Sequence, residues 1–405
     1  MAIQYVDFYA DAVNTVAGTF NITASNLNLQ ITIDGGSAQN FVLTTGGTRT
    51  AANIVSDLSA LTGATASVVT VNGVDFVRIR TTTNNGASST ILFGAPSNNA
   101  NATLGFTATT YHGGANVNTT FVSSSKQNVI DGIQTALTSA GWITISGGGT
   151  TNLLMQSSMS PASQNLRTRV RVKDNGNTCA VVSIENVSGS KAGSNSSVLG
   201  GQLLPGTTKT WRVIANKYQA FVFVPSGANA REYVGFGVPY IPTFLQGTIY
   251  EAAWMQGNAA SDSDTAIRGS FRSGLNSWWN TNGSGNYQCL VNNSIFDSGN
   301  DGNSYAGTLG LQAMGSSNNQ TTTSQYYRWH DGSAFIYDAV LMWGTPTRSD
   351  EAKGRGQLWD CFISSESYTV DTTVASFDSH NWWNLTNNNN GSGTQPRGSV
   401  FIVVP

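Results

Sequence analysis

The sequence predicts a mainly β protein, in which a small N-terminal ββαββ module precedes a larger β-sandwich-like region with one helix at its start. Three observations lead to this prediction. Only 10% of the 405 residues are charged, and Lys and Glu, which favour helices, are scarce. Thr, Val, Asn and Gly, which favour strands and turns, are abundant instead. Several short segments also alternate between apolar and polar residues, which is typical of half-buried strands.

The two hairpins of the N-terminal module are predicted from alternation and turn residues. Leu27–Ile33 alternates with period two, Asp34-Gly35-Gly36 supplies a turn, and Phe41–Leu43 resumes the strand. A second hairpin is predicted around Asn72-Gly73, a pair that favours a tight two-residue turn. Its strands are Ala66–Val71 and Phe76–Arg80.

A helix is predicted between these hairpins. Thr48 or Thr50 can cap its first turn, and Gly63 can end it. The apolar residues at helical spacing are Ile54, Leu58 and Leu61. The helix completes the ββαββ order.

A polar stretch, Gly113–Thr120, predicts a domain boundary, because Gly, Asn and Thr dominate it and no periodicity is visible. The predicted regions are residues 1–114, 115–245 and 246–405. The second region should open with an amphipathic helix, Ser125–Ala140. Two hairpins should follow, formed by Leu166–Lys173 with Thr178–Glu185 and by Thr210–Ala215 with Gln219–Val224.

Residues 246–405 contain a faint internal similarity. Tyr250–Gly257 aligns with Tyr337–Gly344, and a Trp pair follows each segment. Two interpretations stay open, an internal duplication or chance similarity in a biased composition.

The overall charge argues against several classes of partner. The net charge is −2, so the chain lacks a global electrostatic footprint for nucleic acid, and no apolar run is long enough for membrane insertion. The three cysteines share no metal-ligand spacing, which predicts free buried thiols. Met1–Phe20 lacks the pattern of a signal peptide, so we expect synthesis and assembly in the cytoplasm.

No familiar catalytic motif occurs, so the chain is predicted not to be an enzyme and to need no cofactor. Paired carboxylates on a β scaffold, which could cleave glycans, are the alternative.

The segment from Arg167 to Lys173 places four cations on one strand face: Arg167, Arg169, Arg171 and Lys173. One hypothesis is a partner-binding stripe for carboxylates or phosphates. The favoured interpretation is a solvated strand face that protects a sheet edge from aggregation.

Two tryptophan pairs are candidates for stacking on a glycan: Trp278 with Trp279, and Trp382 with Trp383. The favoured alternative is that one Trp of each pair anchors the core or a subunit interface. A further segment has the oxygen ligands that calcium prefers, at Asp297, Asn300, Asp301 and Asn303. Ordinary turn chemistry explains that segment equally well, so no metal is predicted.

The first quarter of the chain resembles a module of phage tail and baseplate proteins and, more distantly, of flagellar hook-associated proteins. The resemblance lies in an ordered set of segments: Leu29–Gly35, a helix with Ala51, Ala52, Ile54 and Leu58, Gly63–Val68, a strand ending at Ile79, Gly86–Ile91, and Ala102–Phe106. The second region is similar to phage virion proteins more loosely, through Ala140-Gly141-Trp142 and Gly235–Pro242. The resemblance implies a scaffold module of a large assembly, without catalytic residues.

The combined expectation is a structural component of a phage virion, in the tail or baseplate, that acts through protein–protein assembly. The alternatives are a carbohydrate-binding adhesin at the particle tip, which would contact a host surface glycan, and a head decoration protein. Expected partners are other virion proteins and further copies of the chain, in a trimer or ring. The expected location is the virion, assembled in the host cytoplasm.

Overall fold

The computed structural model describes residues 3–71, 74–158, 169–174, 180–185, 200–203, 208–223, 233–238, 240, 251–258, 288–291, 294–295, 308–312, 336–345, 348–364, 373–387 and 399–405. The protein is mainly β, as the sequence predicts, and every described strand pair is antiparallel.

The N-terminal part contains nine short strands and three short helical segments. The strands are β1 Asp11–Val13, β2 Phe20–Ile22, β3 Asn28–Ile33, β4 Gln39–Val42, β5 Gly46–Arg49, β6 Ala64–Val71, β7 Val74–Thr81, β8 Thr90–Phe93 and β9 Thr110–His112. The helices are α1 Ala51–Asp57 and α2 Asn101–Leu104, with a 3₁₀ turn at Gly86–Ser88.

Both predicted N-terminal hairpins are confirmed. In the first, β3 pairs with β4, and the turn begins with Asp34 and Gly35 at positive φ. In the second, β6 pairs with β7 over eight consecutive residue pairs. The predicted ββαββ elements occur in order as β3, β4, α1, β6 and β7, with one further strand, β5, before the helix, and the two hairpins lie in different sheets. β3 and β4 share a sheet with β8 and β9, whereas β6 and β7 share one with β1. These extra strands are only three or four residues long, so alternation could not reveal them.

Helix α1 is confirmed and begins at the second of its two candidate caps. The Thr50 hydroxyl accepts from the Asn53 backbone N–H at 3.2 Å, and the Asn53 side chain accepts from the Thr50 N–H at 3.0 Å. The helix ends at Asp57, earlier than predicted, and the chain continues in turns to Gly63. Ile54 and Leu58 are fully buried in the N-terminal core.

The middle region contains α3 Lys126–Ser139 and two sheets. A seven-stranded sheet has the order β10-β16-β17-β18-β19-β20-β21, and a five-stranded sheet runs from β11 to β15 in chain order. The strands are β10 Val117–Ser123, β11 Ile143–Ser146, β12 Asn152–Gln156, β13 Arg169–Asp174, β14 Ala180–Glu185, β15 Gly200–Leu203, β16 Lys209–Ala215, β17 Gln219–Phe223, β18 Tyr233–Gly237, β19 Glu251–Asn258, β20 Gln288–Val291 and β21 Ser294–Ile295.

These two sheets share one core with α3, which matches the predicted sandwich-like arrangement. Side chains from β12, β13, β16, β17 and β18 meet the apolar face of the helix. The helix begins after Ser125, whose hydroxyl accepts from the Asn128 N–H, and both predicted hairpins of this region form.

The predicted boundary stretch is not a simple linker. Gly113 and Gly114 are packed so closely that an added Cβ would lie 1.7 Å from the Phe8 carbonyl oxygen and 2.2 Å from the Ala140 carbonyl oxygen, respectively. Val117–Ser123 then forms β10, because its Val, Thr and Phe residues suit a strand at the sheet edge.

The C-terminal part forms a six-stranded sheet with the order β22-β23-β24-β27-β26-β25. Its strands are β22 Thr308–Gln312, β23 Ile336–Thr345, β24 Arg348–Ser364, β25 Thr373–Phe377, β26 His380–Asn387 and β27 Ser399–Val404. The two segments of the internal similarity overlap β19 and β23, which lie in different sheets. Within the described ranges, no helix has the length and apolar character needed to cross a membrane.

Candidate functional site

The N-terminal segment Ile3–Val13 contacts all three parts of the protein. Gln4 forms a parallel bridge with Trp359 of β24, and the Val6 N–H donates to Asp360 at 2.8 Å. The Ala10 N–H donates to the side-chain hydroxyls of Thr81 and Ser89, which belong to the N-terminal part. β1 then pairs with β7. We call the region where this segment, the β16–β17 turn and β24 meet the junction.

Lys217 is the central cation of the junction. It lies in the turn between β16 and β17, and its side chain is 0% exposed. Its Nζ donates to Asp7 Oδ1 at 2.8 Å and to the Tyr9 carbonyl oxygen at 3.0 Å. Burial lowers the pKa of Lys217 to about 8, although the charge of Asp7 opposes this shift. A buried lysine is tolerated because both acceptors replace water.

Asp7 belongs to a chain of alternating charges. Arg80 lies 2.7 Å from Asp7 and 3.4 Å from Asp11, and Arg78 forms a second ion pair with Asp11. Burial alone would raise the pKa of Asp7, but Lys217 and Arg80 together lower it. Asp7 and Asp11 likewise outweigh the effect of burial on Arg80 and raise its pKa. These ion pairs connect the N-terminal strands to the middle region.

Asp360 connects the C-terminal sheet to the same junction. Its carboxylate is buried, and it accepts from the Val6 N–H at 2.8 Å and from Asn216 Nδ2 at 3.1 Å. The backbone of Asp360 has a φ of +52°, and its N–H donates to the Gln4 carbonyl oxygen at 2.7 Å. Burial raises the pKa of Asp360 to about 6, and these two hydrogen bonds limit the increase.

Gln219 completes the contact between the middle region and β24. Its side-chain oxygen accepts from the Trp359 N–H at 3.1 Å, while its amide nitrogen donates to the Trp359 carbonyl oxygen. The Trp359 ring lies 4.6 Å from the Tyr218 ring, measured between centroids, and its indole N–H donates to the Val238 carbonyl oxygen at 3.0 Å. Cys361 is buried with a free thiol, as predicted, and burial raises its pKa.

The strand that carries the predicted cationic stripe, β13, does not lie at the edge of its sheet, where it was predicted. β13 pairs with β12 on one side and β14 on the other, so it is a central strand and does not protect an edge. Val170 and Val172 face the core, as the alternation predicts. Arg169 is only 9% exposed and donates to Gln156 Oε1 at 3.0 Å, so it is not on a solvated face.

The other cations of this stripe are partly exposed or not described. Arg171 donates to Asn152 Oδ1 at 2.8 Å, and Lys173 is partly exposed. Arg167 lies outside the described residues. Among the three described cations of the stripe, Arg171 and Lys173 remain candidates for a surface contact with a partner.

The C-terminal tryptophan pair is buried. Trp382 is 0% exposed and packs edge-on against Phe362, and Trp383 is 7% exposed with the Arg212 guanidinium 4.0 Å from its ring centroid. Neither indole presents a free face to a sugar, which agrees with the favoured prediction of a core anchor. Trp278 and Trp279 lie outside the described residues.

The calcium candidates Asp297, Asn300, Asp301 and Asn303 also lie outside the described residues. Within the part that the structure describes, no group of three His, Cys, Asp or Glu side chains could hold a metal ion.

Sequence reasoning missed the junction residues. Asp7, Lys217 and Asp360 are separated by more than a hundred positions each, and none belongs to a recognisable motif. The one available signal was the lysine in Asn216-Lys217-Tyr218, a turn between two strongly apolar strands. The charged side chains of the junction form ion pairs and hydrogen bonds with one another and with the backbone. This arrangement can hold three parts of the chain together.

No protein-family model matches the chain, and no curated protein matches it significantly. The geometry of the described residues and the sequence resemblance are therefore the basis for a functional proposal.

Proposed function

We propose that this chain is a structural component of a phage virion, in the tail or baseplate, that acts through protein–protein assembly. The observation that carries the proposal is the junction, in which the N-terminal segment joins three β-rich parts through Asp7, Lys217 and Asp360. These contacts hold the three parts together, so a force on one part is passed to the other two. A scaffold subunit requires this property. The phage-like order of segments in the first quarter of the chain supports the same role.

The low charge of the chain supports an assembly role as well. With 10% charged residues and a net charge of −2, the surface provides weak colloidal repulsion. A partner can cover uncharged Asn, Ser and Thr groups without the several kcal/mol that desolvating an unpaired ion costs.

We also propose that the chain has no hydrolase or lyase activity. The acids and bases of the junction contact one another, and Asp7, Asp11 and Asp360 each accept from groups of another segment. Turnover of host polysaccharide by the purified chain, if abolished by a single Asp or Glu substitution, would refute this part of the proposal.

The adhesin alternative loses the support of Trp382 and Trp383, because both are buried. Antibody labelling of purified particles, viewed by electron microscopy, tests the proposal against its alternatives. We expect label on the tail or baseplate. Label on the capsid would indicate a decoration protein, and a chain recovered only outside particles would contradict any virion role.

A further inference from the structure

β6 is the longest edge strand among those described in the N-terminal part. It is eight residues long, and it pairs with β7 on one side only, because the order of its sheet is β1-β7-β6. The other strands at sheet edges in this part have three or four residues: β1, β2, β4, β5 and β9. β6 therefore presents the longest row of backbone groups at a sheet edge here.

The outer edge of β6 has no backbone partner among the described residues. On its inner side β6 pairs with β7, and α1 packs on the face of the sheet that carries Ala64. The other backbone hydrogen bonds of the described part involve no residue from Ala64 to Thr70. In an antiparallel pair, every second residue directs its N–H and C=O away from the partner strand. These groups of β6 are left for solvent or for another strand.

β6 also lacks the features that usually protect a sheet edge from pairing. Such features are charged side chains, proline, a β-bulge or a short strand. β6 contains no charged residue and no proline, and its register with β7 is regular. Its exposed residues are Thr65, Ser67, Val68 and Thr70. Thr and Val suit an extended strand, so this edge is suited to the addition of a further strand.

The side chains of β6 are complementary to those of a second β6. On the face toward α1, the small Ala64 and Ala66 precede the larger Val68 and Thr70. An antiparallel copy centred on Ser67 places Ala64 opposite Thr70 and Ala66 opposite Val68. Each small residue then lies beside a larger one, and the Ser67 hydroxyl meets its own counterpart. No like charges oppose each other, because the strand has none.

We propose that β6 is a docking edge for β6 of a second copy of this chain, paired antiparallel across a two-fold axis. This inference rests on the proposed assembly function and specifies one contact within it. A second copy is the favoured occupant because β6 matches itself both in the order of small and large residues and in its lack of charge.

Such a contact joins the sheets of two copies into one. Three strands from each copy then follow one another in the order β1-β7-β6-β6-β7-β1. Because both copies use the same strand, the association closes at two copies and leaves the three-residue β1 strands at the ends of the sheet. The trimer or ring expected from the sequence would then require an additional contact.

Sedimentation velocity of the full chain tests the two-fold pairing. We expect a dimer whose amount rises with protein concentration. Ser67→Glu and Ser67→Lys should each dimerise at least about tenfold more weakly, because like charges then face each other across the axis. An equimolar mixture of the two variants should form a heterodimer, since opposite charges then face each other. Ser97→Glu, in an exposed turn outside the three-stranded sheet, is the matched control and should dimerise like the wild type.

Hydrogen exchange locates the contact without any substitution. In the dimer, the outward N–H groups of β6 form hydrogen bonds with the second copy. Peptides that cover Ala64–Thr70 should therefore exchange at least about tenfold more slowly in concentrated wild type than in wild type diluted to the monomer. Thermal melts check that Ser67→Glu and Ser67→Lys retain the fold, which we expect because Ser67 is exposed.

Several results would overturn the proposal. One is a chain that stays monomeric at all concentrations, and another is a dimer that tolerates both single substitutions. A mixture of the two folded variants that fails to dimerise would exclude the pairing centred on Ser67. Protection of β6 only in particles, by a different virion protein, would assign the edge to another occupant. If a monomeric chain were still incorporated into particles, the proposed virion role would survive the failure of this contact.

Discussion

Lys217 and Asp7 lie 210 positions apart in the sequence, yet Lys217 Nζ is 2.8 Å from Asp7 Oδ1 in the junction. The ammonium group is buried, whereas Asp7 is 34% exposed and also contacts Arg80. The charge of Lys217 is therefore stabilised mainly by Asp7, whereas the charge of Asp7 is also stabilised by Arg80 and by water. Substituting Asp7 should then destabilise the fold more than substituting Lys217.

Asp7→Asn should lower the free energy of unfolding by about 3 kcal/mol, since it leaves a buried ammonium without its counter-charge. Lys217→Met should cost less, about 1–2 kcal/mol, because Asp7 keeps Arg80 and partial hydration. The double variant should be more stable than the sum of the single losses implies. Urea unfolding of the four proteins measures these values. Additive losses, or losses below about 0.5 kcal/mol, would show that the pair is not coupled.

The pH dependence of stability should reveal the shifted pKa of Lys217. Its folded pKa of about 8 lies below the usual value of 10.5, so the unfolded chain binds the proton more tightly. The resulting penalty is fully present below pH 8 and is relieved as the pH rises through that value. We expect the wild type to gain stability relative to Lys217→Met between about pH 8 and pH 9.5, measured by thermal melts. A constant difference over this window would contradict the assigned pKa.

The shifted pKa of Asp360 should make folding stability change in the opposite direction at acidic pH. Its pKa rises from 3.8 to about 6 on folding, so the folded state holds the proton more tightly. Stability should therefore fall as the pH rises from about 4 to 6, by an amount on the order of 3 kcal/mol. Asp360→Asn is a suitable control, because Asn also tolerates the positive φ at this position. The variant should lack this trend, and a trend of equal size in both proteins would assign it to other groups.

The helix cap provides a local test with a matched control. Thr50→Ala should cost about 1 kcal/mol, because it removes the hydroxyl that accepts from the Asn53 N–H. Thr48→Ala changes an exposed residue that does not cap the helix and should cost less than about 0.5 kcal/mol. Equal losses in the two variants would contradict the assigned cap.

Trp382 should contribute to the stability of the fold and not to glycan binding. Trp382→Ala should cost about 3–5 kcal/mol, because it removes a fully buried side chain that packs on Phe362. The milder Trp382→Phe should stay folded and keep any glycan-array signal of the wild type. A signal lost in Trp382→Phe without loss of stability would favour the adhesin alternative.

Local structure was predictable here because its signals lie close together in the sequence. Hairpins around Asn72-Gly73, the cap at Thr50 and the apolar face of α3 each depend on residues within a few positions. The junction was not predictable, since single charged residues from three distant segments form it. The central position of β13 was also hidden, because alternation reports which face is buried and not which strands lie alongside.

Quantitative mass spectrometry of density-purified particles tests the central claim most directly. If the chain is a structural component of the tail or baseplate, it should be present at a constant number of copies relative to known tail proteins. That number should stay fixed through repeated washing in the purification buffer. A chain that is absent from the particles, or whose amount falls with each wash, would contradict the proposed function.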